Sequence, residues 1–153
     1  MPAPTEPYQP YAAVHANPSA PGDARPTAIQ VVKDCDAIGK LKGRTALITG
    51  TSSGIGVETA RALYEAGATL FLTARDMPKL EQVVPEIAAS SDAKDVPRPR
   101  GVEISLDSLE SVRKGAEAFE KASGGKLDIF VCRTSEGAWQ FVLIGSAGSA
   151  MPE

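Results

Sequence analysis

Between a short apolar run and a helix-like stretch the chain reads T-G-T-S-S-G-I-G, Thr49 to Gly56, three glycines and four hydroxyl side chains in eight positions. A turn of this composition suits an anion. Gly50 permits a tight turn off a strand, Gly54 lets backbone approach a bulky anion with no Cβ in the way, and Gly56 lets the next helix sit close on a sheet. The unpaired N–H groups and positive dipole end of that helix can then hold a pyrophosphate without a lysine. Thr51, Ser52 and Ser53 add hydroxyl donors. The spacing differs from G-x-G-x-x-G and from a Walker loop, which requires Gly-Lys-Ser/Thr. Most glycine clusters are merely turns. This one gains weight from the strand before it, the helix after it and a basic residue about 20 positions on.

The surrounding elements alternate. "TALITG" reads as a strand closed by Gly50, and "GIGVETARALYEAG" as a helix with Ile55, Ala60, Leu63 and Ala66 on one stripe. "ATLFLTAR" is a second strand, followed by a helix with Leu80, Val83, Val84 and Ile87 on one face, which Pro85 is expected to kink or end early. "GVEISL" is a third strand, with Val102, Ile104 and Leu106 alternating. Ser108 then caps a helix whose apolar side is Leu109, Val112, Ala116 and Phe119, and "LDIFV" is a fourth strand. Strands separated by helices require crossovers. Right-handed crossovers build an α/β parallel sheet of about four strands covered by helices on both faces.

The segments "GRTALITG", "TGTSSGIG", "LTARD" and the "LD" after the third strand closely resemble the N-terminal, NAD(P)-binding half of the short-chain dehydrogenase/reductase family, from about Leu41 to Val131. Among its members the retinol-dehydrogenase-like reductases are the most similar. The resemblance implies a Rossmann-type sheet with strand order 3-2-1-4, a nicotinamide dinucleotide as partner and hydride exchange between an alcohol and a carbonyl. It places Gly50, Ser52, Ser53, Gly54, Ile55 and Gly56 in the cofactor loop and Arg75 where the adenosine ribose is read. An arginine there favours a 2'-phosphate, hence NADP over NAD, because its planar fork bonds phosphate oxygens in pairs. Asp76, which could instead bind a 2'-hydroxyl, is expected to cap the next helix. The resemblance also sets Asp107 beside the adenine amino group and Leu106 against the ring, with helix capping as the alternative role for Asp107.

Other family features are missing from these residues. The family's Asn-Asn-Ala-Gly would follow the fourth strand, where the chain reads "VCRTSEGAWQFVLIGSAGSAMPE" with no asparagine. The family's Tyr-x-x-x-Lys, whose lysine lowers the tyrosine pKa for proton exchange with the substrate, has no counterpart: Tyr8, Tyr11 and Tyr64 are followed four positions on by Ala12, His15 and Ala68. No catalytic residue is assigned, and Ser135, Ser146 and Ser149 carry no role. Trp139 to Ile144 is a charge-free, β-prone run. It is expected either to pair with strand four or to leave that edge open to edge-to-edge self-association. A retained in-frame intron over residues 132–146 would explain the interruption, since valine codons begin with GT and an AG fits near Ser146 to Gly148.

The remaining sequence bounds the problem. With 153 residues and a formal net charge of -3, with neither sign concentrated, the chain has no electrostatic footprint for nucleic acid. No apolar stretch is long enough to span a membrane. Cys35 and Cys132 lack metal-ligand spacing, so no metal site is expected and a reducing, cytoplasmic setting fits; Cys35 reads as a small core residue. Residues 1–26 form a Pro/Ala-rich tail expected to be disordered, His15 included. Residues 27–40 form a short helical leader, 41–132 the NAD(P)-binding half-domain, and 133–153 an atypical tail. Three functional readings follow: the NADP-binding part of a reductase in a catalytically incomplete chain, a nucleotide-binding module without catalysis, or an aberrant product without activity.

Overall fold

Every residue of the run Thr45–Ile48 is buried, as a strand covered on both faces requires. The computed structural model describes residues 10–133 and 139–143. In it this strand, β1, is the centre of a sheet completed by β2 (Thr69–Ala74), β3 (Arg100–Glu103), β4 (Ile129–Arg133) and β5 (Trp139–Leu143). The order is β3-β2-β1-β4-β5. The first four strands are parallel and stand in the expected 3-2-1-4 arrangement. β5 runs antiparallel on β4, from Ile129 opposite Leu143 to Arg133 opposite Trp139. The outer edge of β4 is therefore occupied, and the self-association expected through it has no open backbone row there. Ser135, Ser146 and Ser149, and the intron's expected end near Ser146 to Gly148, lie outside the described residues.

Alternation along the strands sends side chains to two cores. Ala46, Ile48, Leu70, Leu72 and Val131 face helices α3 (Ile55–Glu65) and α4 (Met77–Ala89), which contribute Val57, Ala60, Tyr64, Leu80, Val84 and Ile87. Leu47, Phe71, Val102 and Ile104 face the other side, where α5 (Leu109–Ser123) contributes Phe119, its ring meeting Phe71 edge-on at 4.9 Å. Ser108 caps α5 by accepting the Ser111 N–H at 3.2 Å. The helix faces depart from the expected stripes in places. Ile55 is exposed on α3. Leu109 and Ala116 are exposed on α5, whose buried side is Gly115 and Phe119 with Val112 beside them. Pro85 does not end α4, which continues to Ala89; the proline is exposed, so the carbonyl it leaves without a helical donor lies on the solvent side.

Two polar ties hold the frame. At the base of the sheet the Asp128 carboxylate accepts the Thr45 N–H at 2.8 Å and Arg44 Nη1 at 2.7 Å. The Thr45 amide first, and then the Arg44 guanidinium, hold this carboxyl below its ordinary pKa. Glu65 is buried, and its Oε2 accepts Ser91 Oγ at 2.6 Å and the Asp92 N–H at 2.9 Å, fastening the α4–β3 loop to α3. The leader forms α2 (Ala28–Asp34), packed against α3 and capped by Thr27, whereas α1 (Ala12–Ala16) is a short helix inside the segment 1–26 expected to be disordered. Cys35 is exposed rather than a core residue, because it is the C-cap of α2, where the chain leaves the helix.

Candidate functional site

The glycine turn lies where β1 gives way to α3. Gly50 and Gly54 both take positive φ, +68° and +63°, conformations that a side chain would strain. Gly54 is also the N-cap of α3 and supplies no capping side chain, which leaves the helix's first N–H groups to other acceptors. Gly56 is buried; a Cβ there would meet the Gly50 carbonyl oxygen at 2.2 Å and Thr51 Cα at 3.2 Å. The first turn of α3 is thus seated directly on the backbone of the glycine turn.

A crevice of about 340 Å³ opens at the carboxyl ends of the parallel strands. Gly50 and Ser52 border it from the turn, Thr73 to Arg75 from the end of β2, and Ile104 to Asp107 from the end of β3. Gly50, Ser52, Arg75, Leu106 and Asp107 are thereby brought together. Ser53, Gly54 and Ile55 instead border a separate depression between α3 and α4, with Glu58, Arg61 and Glu86. Ile55 and Leu106 are large apolar side chains left 56% and 60% exposed, available to cover a ring or an apolar ligand surface. A larger groove, about 690 Å³, runs between β3 and α5 past Phe71, Arg100 and Lys114, and touches none of the residues that the sequence assigns to the cofactor.

The polar side chains divide into those used by the fold and those left to the crevice. Thr51, read from sequence as a donor to an anion, is turned inward: it is fully buried, and its Oγ1 and N–H both donate to the Thr73 carbonyl at 3.2 Å. Asp76 accepts the Lys79 N–H at 3.1 Å as the N-cap of α4, the structural role expected of it. The Arg75 side chain is exposed at the crevice and makes no ion pair among the described residues. Asp107 does not cap α5, since Ser108 does; its Oδ1 instead accepts a short hydrogen bond from Ser105 Oγ.

Ser105 itself was missed by the sequence reading. It borders the crevice, directs the Asp107 carboxylate, and is held by its N–H donating to Ser111 Oγ at 2.9 Å. Its place after buried Ile104, at a strand's carboxyl end, was the available signal. Neither described tyrosine is at the crevice: Tyr64 is buried and donates to the Val96 carbonyl, and Tyr11 donates to Asp34 in the leader. Tyr8 lies outside the described residues. Among the described residues no group of three His, Cys, Asp or Glu side chains is placed to hold a metal, and no helix is long and apolar enough to cross a membrane.

Comparison with known proteins adds independent support. A family profile described as short chain dehydrogenase matches residues 44–137, six positions beyond the limit read from motifs. An oxidoreductase of Penicillium decumbens is 43% identical over 123 residues, 79% of this chain and 35% of that protein. A short-chain dehydrogenase/reductase of Penicillium rubens is 42% identical over 101 residues, 66% of this chain and 28% of that protein. The chain thus spans about a third of the length of these relatives. Among solved structures, a metagenomic short-chain oxidoreductase in complex with NADP is similar at TM-score 0.51 and 33% identity, over 59% of this chain and 38% of that one. The L-sorbose reductase of Gluconobacter frateurii complexed with NADPH and L-sorbose is similar at TM-score 0.53 and 28% identity, over 62% and 34%.

Proposed function

Because the chain belongs to the short-chain dehydrogenase family, we propose that its crevice binds the adenosine and pyrophosphate part of NADP, and that the chain is the cofactor-binding portion of an alcohol/carbonyl oxidoreductase. The observation that carries this reading is the crevice at the strands' carboxyl ends, where Gly50 backbone at positive φ meets Arg75, which makes no ion pair among the described residues, while the uncapped start of α3 follows from the same turn. The larger groove beside α5 lacks these features, and ligands of open parallel sheets bind beyond the carboxyl strand ends.

The residues present fit the dinucleotide. N–H groups at the start of α3, with Ser52 and Ser53, would hold the pyrophosphate; Arg75 would take the 2'-phosphate; Asp107, directed by Ser105, would accept from the adenine amino group, with Leu106 against the ring. Bound there, the cofactor would supply or accept hydride in a catalytically complete enzyme. Ser105, Asp107 and the glycine turn would orient it, and Gly56 keeps the first turn of α3 seated on that glycine turn. NADP-bound relatives support the choice of cofactor over NAD. Assignment to the retinol-dehydrogenase-like branch rests on the motif segments alone. Both cysteines are free thiols, which supports a reducing, cytoplasmic setting.

These residues carry no Tyr-x-x-x-Lys pair, so binding without turnover is assigned to this chain. A second reading, a nucleotide-binding module without catalysis, is favoured by β5, which covers the edge of β4. Calorimetry on the 153-residue chain tests the cofactor assignment. NADPH should bind more tightly than NADH, Arg75→Ala should remove most of that preference, about tenfold or more, and Gly54→Val should weaken both cofactors. Intact NADPH affinity in both variants overturns the assignment.

A further inference from the structure

The β1–β2 ladder ends at Ile48 opposite Leu72, and beyond it the glycine turn and the segment carrying Arg75 separate to form two walls of the crevice. Thr51 bridges them. Its hydroxyl and its N–H both donate to the carbonyl of Thr73, two residues before Arg75, and Thr51 and Thr73 are 0% and 2% exposed. The backbone around Thr51 is fixed from the other side by α3, packed against it at Gly56.

We infer that Thr51 is a positioning residue for cofactor discrimination: its buried hydroxyl sets the distance between the phosphate-binding turn and Arg75, and so the fit of a nucleotide carrying both a pyrophosphate and a 2'-phosphate. The inference rests on the NADP reading above. A ligand with both groups must satisfy the two walls at once, so their spacing enters its affinity. One lacking the 2'-phosphate engages the turn without needing Arg75. Loss of the Thr51 hydroxyl leaves the Thr73 carbonyl one buried donor, the Thr51 N–H, so the change falls on the stiffness of the tie rather than on an unsatisfied group.

The test measures NADPH and NADH affinities of the whole chain by calorimetry in Thr51→Val, the smaller Thr51→Ala and Thr51→Ser, each variant being used where its far-ultraviolet circular dichroism matches the parent. Thr51→Val or Thr51→Ala should narrow the preference for NADPH by about fivefold, the worth of one buried hydroxyl bond, with NADH binding unchanged. Thr51→Ser should restore the preference. In an Arg75→Ala background Thr51→Val should change nothing further, because the two residues act on the same phosphate. Equal weakening of NADPH and NADH overturns the inference, as does a Thr51→Val effect that persists without Arg75. Preference abolished by Arg75→Ala but untouched at Thr51 overturns the tie alone; NADPH binding untouched by Arg75→Ala overturns the Arg75 reading and the tie with it.

Discussion

Gly56 and the Gly50 carbonyl stand so close that a single added methyl on Gly56 would fall 2.2 Å from the oxygen. Both partners are main chain, so neither can swing aside. Gly56→Ala should force α3 away from the turn, cost about 1–3 kcal/mol and lower the melting temperature as well as NADPH affinity. Thermal denaturation followed by circular dichroism checks the first effect. A variant with unchanged melting temperature would show that the helix start has more room than the structure gives it.

The tie between Asp128 and Thr45 has a pH signature. Because the folded state depresses this carboxyl's pKa, the unfolded chain takes up its proton more readily. The stabilisation is complete above the unfolded carboxylate pKa of about 4 and is lost as pH falls through the lower folded value. Asp128→Asn should therefore cost about 1–2 kcal/mol at neutral pH, and urea titrations of variant and parent should converge on acidification. A difference constant with pH would assign the effect to something other than the carboxylate charge.

Glu65 joins α3 to the loop after α4 through Ser91 and Asp92. Truncation in Glu65→Ala removes the shared acceptor of two partly buried hydrogen bonds and should cost about 1–2 kcal/mol. Both bonds fall on one oxygen, which the amide of Glu65→Gln can reproduce, so that variant should lose less. Chemical denaturation of the pair decides, and equal losses would point to charge rather than hydrogen bonding.

For catalysis, the expected outcome is absence of turnover by this chain. No tyrosine here precedes a lysine by four positions, and a missing general acid lowers rates on the order of 10²-fold or more. NADPH oxidation with retinal, a steroid or a small aldehyde should match a heat-killed control. Activity above that control would require a proton donor other than the tyrosine.

Strand order was legible in sequence because each strand is an apolar run, each crossover helix has its own period, and right-handed connection leaves few arrangements. Gly50, Arg75 and Asp107 were legible as neighbours through the family resemblance, and all three line the crevice at the carboxyl strand ends. Thr51 was not, because the carbonyl that captures its hydroxyl belongs to Thr73, 22 residues away. The face of α5 was misread because its closest approach to the sheet is made by a glycine. A Cβ on Gly115 would lie 2.3 Å from Ile104 Cγ1, so the helix turns toward Gly115 and leaves Leu109 outside. An apolar count passes over such a residue, although its smallness sets the helix's rotation.

The two faces of the sheet also differ in how they should breathe. On one side α3 and α4 share a continuous core with Ile48, Leu70, Leu72 and Val131, while on the other α5 rests on a stripe centred on Gly115 and Phe119. Elements that bury little apolar surface open locally at lower free energy than the elements they cover. In native-state deuterium exchange, amides of α5 should therefore exchange through partial openings that leave β1 and β2 intact, while Leu47 and Leu70 exchange only when the whole domain unfolds. Because Ser108 and Ser111 at the start of α5 hold Ser105, and Ser105 holds Asp107, each such opening also loosens the adenine side of the crevice. A bound nucleotide should then protect α5 amides that it never touches.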